Sequence, residues 1–157
     1  MYAIGDKIVY PMHGAGIIEK IEEKEILGEI KQYYVLKVPC GDMKIMIPVD
    51  NSEEIGVRNI ISAEEISTVI DVLKDSTTEM SHNWNRRYRE NMEKLKTGSA
   101  IQVAEVVRNL IRTERTKKLS AGEKKMLASA RQILRSEMVL AGDMDAASAD
   151  TLIDEAV

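Results

Sequence analysis

The amino-acid sequence predicts an α+β protein, with a small antiparallel β-barrel or strongly curved sheet at the N-terminus and a compact bundle of about five helices after it. One observation behind this prediction is a series of short β-branched and aromatic stretches, separated by turn residues, up to about residue 49. Another is the helical spacing of apolar residues from Ser62 onward. We therefore predict two domains, at residues 1–55 and 62–157.

The N-terminal domain is predicted to hold four strands, at residues 7–10, 16–21, 32–38 and 44–49. Turn residues separate them at Gly5-Asp6, His13-Gly14, Gly28 and Gly41-Asp42. A sheet of this size buries little surface and has exposed edges. An edge of this kind can pair with a strand of another protein. Residues 50–61 are predicted to form the connection to the second domain.

Five helices are predicted, at residues 63–74, 84–96, 100–116, 121–141 and 146–156. Three capping boxes mark helix starts, because a serine is followed three residues later by Glu or Gln at Ser62, Ser99 and Ser120. Gly98 and Gly142 follow helical segments at positions suited to a C-terminal cap.

Two of the predicted helices carry basic residues on a different face from their apolar residues. The apolar faces hold Val103, Val106, Val107 and Leu110 in one helix and Leu127, Ala130, Leu134 and Met138 in the next. The basic faces hold Arg108, Arg112 and Arg115, and then Lys124, Arg131 and Arg135. This spacing predicts core faces free of charge and basic side chains that point outward together, as phosphate binding requires and as simple solvation also allows.

Charge is strongly segregated along the chain, although the net charge is only −4. Residues 1–81 hold 8 Lys/Arg and 15 Asp/Glu, residues 82–135 hold 14 and 5, and residues 136–157 hold 0 and 6. A basic block inside an acidic chain is typical of contact with a polyanion, since neutralised phosphates also release counterions. A solvated basic face is the alternative interpretation.

Several classes of protein are disfavoured by the sequence. It has no run of 18 or more apolar residues and no export signal, so we expect no membrane span and a cytoplasmic location. Cys40 is the single cysteine and therefore has no internal disulfide partner. His13 and His82 lie far apart with no Cys-x-x-Cys pattern, which disfavours a zinc site.

No catalytic constellation is evident either. Gly14-Ala15-Gly16 begins a dinucleotide-binding pattern, but Glu19 stands where the third glycine belongs, and the segment is interpreted as a turn. His13 in that turn suits a structural or partner-contact role better than general base catalysis. We predict no catalytic residue, no cofactor and no metal, and an enzyme is the least favoured class.

Trp84 is the single tryptophan and stands beside three arginines, Arg86, Arg87 and Arg89. A flat apolar ring among arginines suits nucleic acid, because the arginines neutralise phosphates and the ring can enter a base step. The alternative is core burial, since Trp84, Tyr88, Met92 and Leu95 fall near one face of a helix.

Six stretches of the chain, in this order, resemble the CarD/CdnL family of bacterial transcription regulators. Three lie in the predicted sheet: VYPMHGAG at 9–16, YVLKV at 34–38 and IPV at 47–49. Three lie in the predicted helices: NWNRRY at 83–88, AEVVRNL at 104–110 and LSAGEKKML at 119–127. Together they span almost the whole chain, and the last is the most specific.

The resemblance implies a factor that binds RNA polymerase and promoter DNA together. In that family a Tudor-like barrel, shared with the transcription-repair coupling factor, docks on the polymerase β subunit by edge-strand pairing. The helical domain lies on DNA at the upstream edge of the bubble, where a tryptophan wedges into the minor groove. Trp84 matches that wedge, and Arg86, Arg89 and Lys124 match basic DNA-contacting positions. Arg87 either contacts DNA or braces the helix.

The polymerase-facing positions of the family match Lys24 and Met46. The second of these is often basic in the family, so Met46 is a departure that weakens or redistributes the electrostatic part of docking. We thus expect a monomeric, non-catalytic factor, associated with the nucleoid through RNA polymerase, that stabilises the open promoter complex. The alternative is a protein-only adaptor whose basic block is merely solvated.

Overall fold

A computed structural model describes residues 1–39 and 43–157 of the chain. The strands are β1 (Lys7–Tyr10), β2 (Gly14–Ile26), β3 (Glu29–Lys37), β4 (Lys44–Pro48) and β5 (Arg58–Asn59). Over the same residues the helices are α1 (Ser52–Ile55), α2 (Glu65–Lys74), α3 (Trp84–Lys96), α4 (Ala100–Thr116), α5 (Ala121–Gly142) and α6 (Ala146–Ala156). The α+β class and the five main helices are confirmed. Cys40 and the predicted turn at Gly41-Asp42 lie outside the described residues.

The strands form one antiparallel sheet in the order β4-β3-β2-β1-β5. The fifth strand was not predicted, because two polar residues carry no alternating pattern. It pairs with β1 through Ile8 opposite Asn59 and Val9 opposite Arg58. The sheet therefore extends past residue 55 into the segment that the sequence assigned to the connection, where the one-turn helix α1 also lies.

The hairpin of β2 and β3 is the longest feature of the sheet. Its two-residue turn, Leu27-Gly28, has positive φ angles of 52° and 80°, as a tight hairpin turn of this twist requires. A bulge lies between Ile18 and Lys20 on β2. The ladder of β4 ends opposite Tyr33, so the outer part of the hairpin extends beyond it as a two-stranded arm.

Two hydrophobic cores hold the chain together. The sheet core contains the fully buried Ile8, Ile18, Tyr34, Leu36 and Ile47, with Val57 beside them. The helical core is larger and draws on α2 to α6, with Leu73, Leu95, Leu110, Leu134 and Ile153 among its fully buried side chains. No helix among the described residues is long and apolar enough to cross a membrane.

The capping boxes at Ser99 and Ser120 start their helices as predicted, whereas α2 begins at Glu65, two residues after the predicted start. Ser62 and Glu65 each bond the backbone N–H of the other, at 3.3 and 3.2 Å. The side chains of Ser99 and Ser120 accept from the N–H groups of Gln102 and Glu123. Gly98 adopts positive φ after α3, whereas at the end of α5 the left-handed residue is Asp143, one position later than the predicted Gly142.

The turn between β1 and β2 packs directly on α5. The hydroxyl of Ser136 accepts a hydrogen bond from the N–H of Ala15 at 2.9 Å and donates to the carbonyl of Ile133 at 2.7 Å. Gly14 has a φ of +112°, and a Cβ there would lie 2.8 Å from Ser136 Oγ. Only glycine fits this contact without displacement.

An ion pair between the partly exposed Arg58 and the buried Glu137 fixes the sheet to the helical domain. Both terminal nitrogens of Arg58 donate to the carboxylate of Glu137, at 2.7 and 2.8 Å. The same carboxylate accepts the N–H of Ile61 at 2.8 Å, and Arg58 Nε donates to the carbonyl of Gly98 at 2.9 Å. The expectation that the inner face of α5 is free of charge is therefore wrong. Glu137 is buried because all its partners are supplied at the junction.

We predict that Glu137→Ala lowers the free energy of unfolding by about 2–4 kcal/mol, because it removes three charge-assisted hydrogen bonds and leaves Arg58 without its partner. Urea unfolding of the full chain measures the loss. Glu155→Ala on the exposed side of α6 is the matched control and should change stability by less than about 0.5 kcal/mol. Equal effects of the two variants would contradict the structural role of the junction.

Candidate nucleic-acid interface

Trp84 occupies the first position of α3. The side chain of Asn83 caps this helix, with Oδ1 accepting from the N–H of Arg86 at 3.0 Å. A side chain at a first helical position can project past the end of the helix, and Trp84 is 42% exposed. It is one of the few large apolar side chains of the described residues that solvent reaches. The predicted start of this helix at residue 84 is confirmed.

The covered part of the Trp84 ring contacts both α3 and α5. The ring stacks on Tyr88, with centroids 5.2 Å apart and an interplanar angle of 20°. The indole N–H donates to Ser120 Oγ, the N-cap of α5, at 2.9 Å. A Cβ on Gly122 would lie 3.5 Å from the Trp84 ring and 3.6 Å from Tyr88, so the first turn of α5 lies against both rings. Trp84 is thus partly packed against the helices and partly exposed, so it is neither a fully buried core residue nor a free side chain.

Arg87 points away from solvent and toward α5. Its Nε and one terminal nitrogen donate to the two carboxylate oxygens of Glu123, at 3.0 and 3.2 Å, and its other terminal nitrogen donates to the carbonyl of Ser81. The side chains of Arg87 and Glu123 are 17% and 4% exposed. The hydrogen bonds from Arg87 lower the pKa of Glu123, and those to Glu123 raise the pKa of Arg87. The pair is therefore charged at neutral pH.

The other predicted DNA-contacting cations are exposed. Arg86 donates to Glu90 one turn along α3 at 2.9 Å, in a solvated pair that holds the side chain weakly. Neither Arg89 nor Lys124 has an ion-pair partner among the described residues. Both positive charges are available to an anion.

A groove beside the Trp84 ring brings some of these residues together. Trp84, Arg87 and Lys124 line it, and so do Lys117 and Lys118 from the connection between α4 and α5. Both connecting lysines are exposed. Sequence reasoning did not single them out, although their place immediately before the Ser120 capping box was a usable signal.

The basic face predicted for α4 is largely structural. Arg108 is 3% exposed and donates to the carbonyl of Val72, to Thr78 Oγ1 and to Asn109 Oδ1. Arg112 donates to the carbonyl of Leu73 and to Thr77 Oγ1. The expectation that Arg108 points outward is wrong, because a carbonyl of α2, the Thr78 hydroxyl in the α2–α3 connection and the neighbouring Asn109 side chain supply the acceptors. These contacts tether the segment that leads to Asn83.

The basic face predicted for α5 divides in the same way. Arg131 pairs with Asp150 and Asp154 of α6, and Arg135 pairs with Asp150. The acidic C-terminal block thus neutralises the far half of this basic face. Lys124, near the start of α5, has no such partner in the described part of the chain and remains exposed.

The two residues matched to polymerase contacts lie on different strands. Lys24 is exposed on β2, opposite Lys31, in the two-stranded arm. Met46 is half-buried on the edge strand β4 and lies opposite Val35, which in turn lies opposite Lys20. Four residues along β2 separate Lys20 from Lys24, a distance of about 13 Å. The sheet therefore does not place Lys24 and Met46 side by side.

Apolar side chains are exposed at the tip of the arm. Leu27 is fully exposed, Ile30 is mostly exposed and Ile26 is partly exposed. Exposed apolar groups of this kind on a projecting hairpin favour contact with a partner. Over the described residues, no group of three or more His, Cys, Asp or Glu side chains is arranged to hold a metal ion.

Comparison with known proteins matches both domains. Residues 2–61 match the CarD-like/TRCF RID domain, and residues 68–154 match the CarD C-terminal domain. A relative from Bacillus subtilis (strain 168), YdeB, provisionally assigned as a transcription factor, is 43% identical over 138 residues, which cover 88% of this chain and 90% of that protein.

The sheet with its open edge, the helical domain with its basic groove and these matches together define a regulator of transcription. The N-terminal match implies interaction with RNA polymerase. The chain belongs to the CarD family.

We predict that Trp84→Ala costs about 1–2 kcal/mol of stability, since it removes one aromatic stack and one hydrogen bond but little core volume. Leu110→Ala, in the helical core, should cost about 2–5 kcal/mol. Thermal and urea unfolding of both variants measure the difference. A Trp84→Ala loss as large as that of Leu110→Ala would mean that the indole is a core side chain.

Proposed function

We propose that this protein, acting as a monomer without catalysis, binds the RNA polymerase β subunit through its sheet and promoter DNA through its helical domain. It stabilises the open complex at the upstream edge of the bubble, where Trp84 enters the minor groove. The observation that carries the proposal is the half-exposed ring of Trp84 at the start of α3, beside a groove whose lysines have no ion-pair partner among residues 1–39 and 43–157.

The proposed DNA surface consists of Arg86, Arg89, Lys117, Lys118 and Lys124. These side chains are exposed, and four of them have no ion-pair partner in the described part of the chain. Phosphate contacts of this kind position a protein on DNA without reading bases. Binding should therefore depend strongly on salt and only weakly on sequence.

The proposed wedge follows from the orientation of the Trp84 ring. The ring is supported by Tyr88 and by the first turn of α5, and Trp84 nevertheless remains 42% exposed. A supported apolar ring can unstack a base step and hold it open, because it need not be ordered when it inserts. The minor groove offers little base-specific information, so such a wedge would act at promoters of different sequence.

The proposed polymerase surface is the edge strand β4 together with the β2–β3 arm. An edge strand carries unpaired backbone groups that a strand of the β subunit can bond. Lys24 and the exposed Leu27 lie on the arm, beyond the region covered by β4. Main-chain pairing needs few special side chains, so the methionine at position 46 is compatible with docking.

We predict that Arg86→Glu, Arg89→Glu and Lys124→Glu each weaken binding of the full chain to duplex DNA, whatever the promoter sequence. Loss of one phosphate contact should lower the slope of log affinity against log salt by about 1. Lys96→Glu is the matched control, since it reverses the same charge at the other end of α3, about 18 Å from Trp84.

The salt titration also separates the two functional classes. Weakening at one promoter sequence only would indicate base readout, and weakening by Lys96→Glu as strong as by Lys124→Glu would indicate a general charge effect. Absence of salt-dependent DNA binding by the unsubstituted chain would favour the protein-only adaptor.

We predict further that Lys24→Glu and Met46→Glu reduce capture of the polymerase β subunit by the full chain severalfold, because both place a new charge on the proposed docking surface. Binding to DNA alone should not change. Lys124→Glu is the reciprocal control, with normal β capture and weakened DNA binding. If the Lys124 variant lost β capture while the two sheet variants kept it, the assignment of partners to domains would be reversed.

A further inference from the structure

A closed set of hydrogen bonds connects the starts of α3 and α5 and ends on the Trp84 indole. The indole N–H donates to Ser120 Oγ at 2.9 Å. Ser120 Oγ also accepts the N–H of Glu123 at 3.2 Å and donates its own proton to Glu123 Oε1 at 3.1 Å. Glu123 is held in turn by two hydrogen bonds from Arg87, which is three residues after Trp84 on the same helix.

The hydroxyl of Ser120 has no hydrogen-bonding capacity left over. A serine hydroxyl offers one proton and two lone pairs, and each of the three has a partner here. Its proton is directed to Glu123, so a lone pair stays directed to the indole. The orientation of that lone pair thus depends on the Glu123 carboxylate.

The carboxylate depends on Arg87. Glu123 is almost completely buried, and a buried carboxylate is retained only with a cationic partner and enough donors. Arg87 supplies the cation and two of the donors. Removal of either residue therefore removes the support of the acceptor that orients the ring.

We propose that Ser120, Glu123 and Arg87 are positioning residues that hold the Trp84 ring in its inserting orientation before DNA arrives. This inference rests on the proposed function, since it explains how the wedge is prepared. A ring that is already fixed loses less conformational freedom on insertion. Because the N–H has its acceptor within the protein, the inserted ring also needs no acceptor from a base.

Arg87 therefore has a different proposed role from the cations that are proposed to contact DNA. A phosphate contact would change the salt dependence of DNA binding and leave the free protein unaltered. A positioning residue should change the environment of Trp84 when no DNA is present. Trp84 is the single tryptophan of the chain, so intrinsic fluorescence reports on this ring alone.

The experiment uses the full chain with Ser120→Ala, Ser120→Thr and Arg87→Ala, each checked for folding by circular dichroism. In the free protein, Ser120→Ala and Arg87→Ala should shift Trp84 emission to longer wavelength and lower its anisotropy, and Ser120→Thr should restore both. Ser99→Ala is the matched control, because it removes the same type of helix cap from α4 away from the ring.

The functional measurement is the lifetime of the open complex with RNA polymerase and a promoter fragment. Ser120→Ala and Arg87→Ala should reduce the stabilisation about 3- to 10-fold, as expected for a ring that must be ordered on insertion. Capture of polymerase should not change, and the salt slope of Arg87→Ala should equal that of the unsubstituted chain.

Unchanged Trp84 emission in Ser120→Ala and Arg87→Ala would overturn the inference. A salt slope lowered by about 1 in Arg87→Ala, with unchanged emission, would make Arg87 a phosphate contact instead. Altered emission with an unaltered lifetime, in a system where Trp84→Ala shortens the lifetime, would also overturn it. If Trp84→Ala itself left the lifetime unchanged, the wedge of the proposed function would be the part that fails.

Discussion

The carboxylate of Glu137 accepts hydrogen bonds from two nitrogens of Arg58 and from the backbone of Ile61, and this junction sets the position of the sheet relative to the helices. Glu137 lies on α5, the helix whose N-cap, Ser120, bonds the Trp84 indole. Seventeen residues of helix separate the two points, a distance of about 25 Å. One helix therefore joins the sheet to the proposed DNA surface. In the proposed complex, docking of the sheet on the polymerase would determine where the ring of Trp84 meets the duplex.

The charged residues of the helical domain have two roles. Some make internal contacts that stabilise the fold, and others, at neighbouring positions, remain exposed to solvent. Arg87 turns inward to the buried Glu123 and Arg108 is itself buried, whereas Arg86 and Arg89 remain in solvent. The acidic C-terminal block covers Arg131 and Arg135 through α6. Positive charge is thus removed from part of the helical domain and left near Trp84. The basic block at residues 82–135 therefore gives a smaller exposed basic surface in the folded protein, centred near Trp84.

The elements that the sequence predicted well are those with a local cause. Capping serines and apolar spacing located the five main helices to within a residue or two, and the start of α3 at Trp84 was predicted correctly. The features that the sequence did not predict depend on residues that are distant along the chain. Strand β5 exists because β1 lies beside it, and the inward turn of Arg108 depends on the carbonyl of Val72 and the hydroxyl of Thr78, which lie 36 and 30 residues away. For the candidate site, the sequence named Trp84, Arg86, Arg89 and Lys124 but neither Lys117 nor Lys118. Spacing also could not reveal that Ser120 and Glu123 support the ring. The roles of these residues in binding stay predictions.

The length of α5 between Ser120 and Glu137 limits which insertions and deletions this protein can accept. Each residue added to or removed from a helix rotates everything beyond it by about 100° and shifts it by about 1.5 Å. A single insertion in this span would change the phase between Ser120 and Glu137, and it would also rotate Met126, Ala130 and Leu134 relative to Met138 in the helical core. Insertions in the loops carry no such penalty. Helical phase along α5 is therefore a property on which selection can act, separately from the identity of any residue on its surface.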